Sequence, residues 1–157
     1  MTGSAERIEY LGVIPRKTAD KVLDGVETVF SDVLSEGHKE RNITPSLERY
    51  RQDEIEVTFS WVGQDSISRN IQAWATGSSE PELKLSVLAH AWRDEEEQDR
   101  GGTRRSHYDQ IGTLDIPFGR LDVERLKEVL ERANATVSSW GEEDLTQTSP
   151  FQPTLVR

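Results

Sequence analysis

Two imidazoles and a carboxylate are the residues in this chain best suited to chemistry. His90 lies in the run Glu82 to Trp92, and His107 and Asp109 lie in the run Ser106 to Ile116, so a hairpin joining these runs brings the three near one another. Such a set can ligate a divalent metal or share acid–base work, because histidine changes charge near neutral pH. Against this, each histidine falls at a solvent-facing strand position and no second cluster completes a coordination sphere. His38 sits just past a predicted helix end and reads as an ordinary surface residue.

The acidic run Asp94-Glu95-Glu96-Glu97-Gln98-Asp99 lacks the alternating Asp/Asn spacing and central glycine of a calcium loop, and reads as solvated acid. The following Arg100-Gly101-Gly102-Thr103-Arg104-Arg105 is basic, but too short and too closely flanked by acid to form a good nucleic-acid patch. The chain has no Gly-x-Ser-x-Gly elbow, no phosphate-cradling glycine-rich loop with a following lysine, and no dinucleotide fingerprint. Cysteine is absent, which excludes thiol nucleophiles, disulfides and cysteine metal sites. The expectation is a protein that is not an enzyme and takes no cofactor or metal.

The elements that would position these residues follow from hydrophobic spacing. Ala19, Val22, Leu23, Val26, Val29, Phe30, Val33 and Leu34 recur at three-and-four spacing, predicting a helix from Lys17 to Glu36 with Gly37 as the left-handed residue after it. Asn42 to Leu47 then reads as a connector. Glu54 to Val62 alternates, with Ile55, Val57, Phe59 and Trp61 on one face, which predicts a half-buried strand. Short turns lead to strands at Ser66 to Thr76 and Glu82 to Trp92, and a fourth runs from Ser106 to Ile116 with Gly112 as a candidate bulge. Asp122 is placed to cap a helix carrying Val123, Leu126, Val129, Leu130, Ala133 and Val137 on one stripe.

This order predicts an α+β fold: an antiparallel meander of four to five strands, with an N-terminal and a C-terminal amphipathic helix packed on one face. Residues 1–140 are read as one domain, with 1–16 an extended or edge-strand lead-in. From Gly141 to Arg157, acidic residues and then a Thr/Ser/Pro-rich stretch read as an extended arm.

The 29 acidic and 19 basic residues give a net charge of −10, which disfavours general attraction to nucleic acid or anionic lipid. Lys17, Lys21, Lys39, Lys84 and Lys127 are the only lysines, so arginine supplies most of the positive charge. A lysine-poor acidic surface fits a protein kept soluble in high salt; a GC-rich genome accounts for it equally well. No signal peptide and no membrane-spanning stretch is read from the sequence, which leads us to expect a cytosolic protein or part of a soluble assembly.

The predicted hairpin tip, roughly Arg93 to Arg105, is longer than ordinary hairpin loops and divides into acid and then arginine. In a homo-oligomer the acidic half of one copy meets the arginines of the next. Trp74, Leu88, His90, Trp92 and Tyr108 fall opposite the core-facing positions, where large aromatics suggest an interface, unless the register is slipped by one residue. The candidate interface is therefore Trp74, Leu88, Trp92, Asp94, Glu95, Glu96, Glu97, Asp99, Arg100, Arg104, Arg105 and Phe151. The expected partners are further copies of the chain and other structural proteins, with no membrane and no sequence-specific nucleic acid.

The layout of a helix, long antiparallel hairpins and a second helix over residues 17 to 140 resembles the small ring-forming proteins at the head–tail junction or tail end of tailed viruses, the tail-terminator and tail-completion proteins. The resemblance implies a ring-forming structural protein and, with the lysine-poor surface, a virus of a halophilic archaeon. It assigns no role to any individual residue. Two other classes fit the same sequence. One is a small-ligand binder of the helix-grip type, with Ala73, Ala75, Ala89 and Ala91 as pocket space or as close helix packing. The other is an acidic chaperone or immunity protein that masks a basic partner.

Overall fold

The computed structural model describes residues 14–34, 37–44, 53–77, 82–95, 103–117 and 119–148. Within them the element order is α1 (Arg16–Val33), β1 (His38–Thr44), β2 (Asp53–Val62), β3 (Ser68–Gly77), β4 (Glu82–Glu95), β5 (Thr103–Pro117), α2 (Val123–Ser139) and β6 (Thr146–Thr148). The strands form one sheet in sequence order with every neighbouring pair antiparallel, and both helices pack on one of its faces, so the α+β meander expected from the sequence is the fold.

The core is the sum of three alternations and two stripes. Ile55, Val57 and Phe59 from β2, Ile71, Ala73 and Ala75 from β3, and Leu83, Leu85, Val87, Ala89 and Ala91 from β4 are all buried. Over them lie Ala19, Val22, Leu23, Val26, Val29 and Phe30 of α1, and Leu126, Val129, Leu130, Ala133 and Val137 of α2. Asp122 caps α2, its carboxylate accepting the Arg125 N–H at 3.1 Å. Burying these apolar surfaces is the main term that holds the sheet and helices together.

Several boundaries differ from expectation. Helix α1 ends at Val33 rather than Glu36, because Leu34 turns to extended backbone while its N–H still reaches the Phe30 carbonyl. Gly37, with φ of 148°, therefore opens the next strand instead of closing the helix. That strand, β1, takes in Asn42 to Thr44, which had read as connector; Pro45 to Leu47 lie outside the described residues. β1 shows no apolar alternation because it is an edge strand fastened by charge. Lys39 Nζ donates to Ser31 Oγ at 2.6 Å, and the Arg41 guanidinium donates to Asp24 and Glu27 of α1, each at 2.7 Å.

The lead-in at residues 1–13 lies outside the described residues. Ile14 is buried, and its N–H donates to the carboxylate of fully buried Asp53 at the start of β2. Gly77 pairs with Asp53, and a Cβ there would come within 2.3 Å of Leu83 and 2.9 Å of Ile14, so only glycine leaves room for this corner of the core.

β4 and β5 run longer than predicted, which extends the hairpin ladder through Glu95 and Thr103. The expected irregularity is present in β5. Val87 faces Gly112 while Leu88 faces Gln110, so Ile111 is the extra residue of a bulge. Helix α2 passes close at that point, with Val129 3.2 Å from where a Gly112 Cβ would stand. Of the arm expected from residue 141, Glu142–Asp144 form a 3-10 turn and Thr146–Thr148 pair with β5; residues 149–157 lie outside the described residues.

Candidate interaction face

The histidine–aspartate set does not assemble. His90 stands opposite Tyr108, whereas His107 stands opposite Ala91 and Asp109 opposite Ala89. Directly opposed residues share a face of an antiparallel pair. His90 and Tyr108 therefore point away from the helices, while His107 and Asp109 lie on the helix side. There the His107 ring meets Trp140 edge-on, with centroids 4.4 Å apart. Among the described residues no group of three metal-ligating side chains comes together.

The face away from the helices collects the aromatic residues that parity assigns to it. Trp74, Leu88, His90 and Trp92 are part-buried there and Tyr108 is 47 % exposed. His90 stacks on Trp92, with centroids 4.8 Å apart and rings inclined by 25°, and meets Tyr108 edge-on at 6.4 Å. Ser60, Asn70, His90 and Tyr108 form one row across four strands. Burial, with a smaller contribution from the Arg104 charge, pushes the His90 imidazole down to about 4, so it is neutral at pH 7. Asn70 presents a buried Oδ1 that no donor among the described residues reaches. Further along, the Glu56 carboxylate accepts from Gln72 Nε2 at 2.9 Å and from Thr58 Oγ1 at 3.3 Å, and burial raises the Glu56 carboxyl above its usual range.

The charges at the base of the hairpin tip are divided between the two faces. On the open face Arg104 Nε donates to Asp94 at 2.7 Å, and the guanidinium carbon lies 5.6 Å from the Trp92 ring centroid. This cation–aromatic contact continues the His90–Trp92 stack. The Arg104 bond holds the Asp94 carboxyl below its ordinary range. On the helix side Arg93 donates to Glu142 at 2.7 Å, Arg105 lies 3.8 Å from the same carboxylate, and Arg105 also donates to the Leu145 carbonyl at 3.1 Å. Arg104 and Arg105 thus have partners inside the chain. Glu95 pairs through its backbone with Thr103, and Glu96, Glu97, Asp99, Arg100 and Phe151 lie outside the described residues.

One important residue escaped sequence reasoning. Arg69 is 6 % exposed and occupies a core-facing position of β3. Its guanidinium donates to the Val137 and Trp140 carbonyls at 3.0 and 2.6 Å, and to both oxygens of Asp65 at 3.1 Å. A cation there satisfies the open carbonyls of the α2 C-terminus and complements its dipole. The available signal was an arginine in phase with Ile71, Ala73 and Ala75, four residues after an aspartate.

The alanines offered as pocket space are 0–1 % exposed and belong to the core beneath the helices. No helix among the described residues is long and apolar enough to cross a membrane. No protein-family model, curated protein or solved structure matches this chain.

Proposed function

We propose that this chain is a non-enzymatic structural protein that associates with further copies of itself through the face of the sheet away from the helices. The observation that carries this reading is the continuous His90–Trp92–Arg104 stack, flanked by Leu88, Trp74 and exposed Tyr108, on a face where neither helix packs. Aromatic and arginine side chains are enriched where proteins dock. A second copy suits this face because the face carries both signs. The side chains of Asp94 and Arg104 are 63 % and 48 % exposed, so each can find its opposite on a neighbour. A ring at a viral head–tail junction or tail end is the finer form of this proposal and rests on the order of elements.

Light scattering on the purified protein in molar salt tests it. The expected mass is a multiple of 17.8 kDa, and Trp92→Asp returns it to one chain without loss of helix or strand signal. A strict monomer that co-purifies with a small molecule overturns the proposal.

A further inference from the structure

Helix α2 and the segment after it are held in different ways, and the change falls between two consecutive residues. Up to Trp140 the chain is fixed to the interior, because Arg69 grips the Val137 and Trp140 carbonyls and Trp140 itself is 8 % exposed. Beyond Gly141 the segment is a small closed unit. The Gly141 N–H donates to Asp144 at 2.8 Å, and the Asp144 N–H returns to the Gly141 carbonyl at 3.0 Å.

This unit is fastened to the distal half of the β4–β5 hairpin by few ties. Glu142 meets Arg93 and Arg105, Leu145 is buried at 2 % exposure, and Thr146 Oγ1 donates to the Ser106 carbonyl at 3.2 Å. Just three residues pair with β5, at Arg104, Arg105 and Ser106. The carboxylate tie is exposed, with the Glu142 side chain at 59 %, so salt weakens it. Among the described residues there remain the Leu145 anchor, the hydrogen bonds from Arg105 to the Leu145 carbonyl and from Thr146 to the Ser106 carbonyl, and a three-residue strand.

We infer that residues 141–148 are an exchangeable strap and that the groove of Arg93, Arg105 and the Leu145 seat takes the same strap from a second copy. The inference rests on the self-association proposed above and adds how neighbouring copies are linked. The groove selects a 3-10 turn with a carboxylate three residues before a leucine, followed by a short strand. A second copy offers that chemistry identically, so exchange with Gly141 as the hinge replaces every contact and loses none. Assembly raises the local concentration of neighbouring straps, which favours the exchanged form.

The chain has no cysteine, so introduced thiols report without background. Ser106 and Thr146 are directly paired, which suits a disulfide between them. Separately purified Ser106→Cys and Thr146→Cys chains, one carrying a size-shifting tag, are mixed in molar salt, oxidised and separated without reductant. The expected main product is the mixed disulfide-linked pair, several-fold above either like-with-like pair. The double variant S106C/T146C, oxidised as the assembled protein, is expected to give a ladder of linked chains. If the double variant closes only within single chains and the mixture gives no mixed pair, while light scattering still finds a multimer, exchange is overturned and self-association stands. A monomer mass in molar salt overturns both.

Discussion

The two halves of β4 lie on one strand and do different work. On the helix side of the half nearest Pro117, Leu83, Leu85, Val87, Ala89 and Ala91 are buried under α1 and α2. Two residues on, the same face carries Arg93, which with Arg105 holds Glu142 instead of a helix. The inside-outside alternation continues unbroken while its chemistry changes from apolar to ionic. Stability should therefore concentrate in the helix-covered half, where apolar area leaves water, and the distal hairpin should contribute mainly specificity of contact.

Substitutions that separate these roles test the comparison. Leu130→Ala, at a fully buried position over the sheet, is expected to cost about 2–5 kcal/mol in denaturant unfolding. Arg69→Met takes the guanidinium donor away from the Val137 and Trp140 carbonyls, of which Val137 keeps the Trp140 N–H at 3.3 Å, and is expected to cost about 2–3 kcal/mol; the Arg69→Lys variant should restore only part, since an ammonium lacks the planar fork that bridges Asp65 and the carbonyls.

At the junction of the two halves, His90 gives a pH signature. Its folded pKa is depressed to about 4, below the ordinary 6.5, so between those values the unfolded chain binds a proton that the folded chain does not. Stability contributed by neutral His90 is present above pH 6.5 and is lost as pH falls from 6.5 toward 4. Thermal unfolding of His90→Gln should lack this part of the slope.

The smallest effect is expected at the tip. A double-mutant cycle on Asp94 and Arg104 should give a coupling below about 1 kcal/mol that shrinks with added salt, because both groups are largely exposed. A coupling as large as the Arg69 effect would erase the contrast between the two halves.

What could be read in advance divides along the same line. Ile55, Val57 and Phe59 announced β2 by period, and the change of apolar parity around Gly112 announced the bulge, because burial writes itself into spacing. β1 wrote no such pattern: His38-Lys39-Glu40-Arg41 is fastened to α1 through side-chain charge, and which carboxylate an arginine will reach is not a local property of sequence. The proximity of His90 to His107 was also legible, but their opposite faces depended on the register of the whole hairpin. Arg69 was hidden because its partners lie 68 and 71 residues away.

The bulge at Ile111 has a bearing on how this strand can change length. A regular strand has no residue to spare, so losing one carries everything beyond the loss to the opposite face. β5 holds one residue of slack. Loss of any single residue between His107 and Ile111 would be absorbed as the bulge closes, with Arg104 kept beside Asp94 and Leu114 kept beneath the helices. Gain of a residue has no such reserve, so β5 should tolerate shortening by one residue better than lengthening by one.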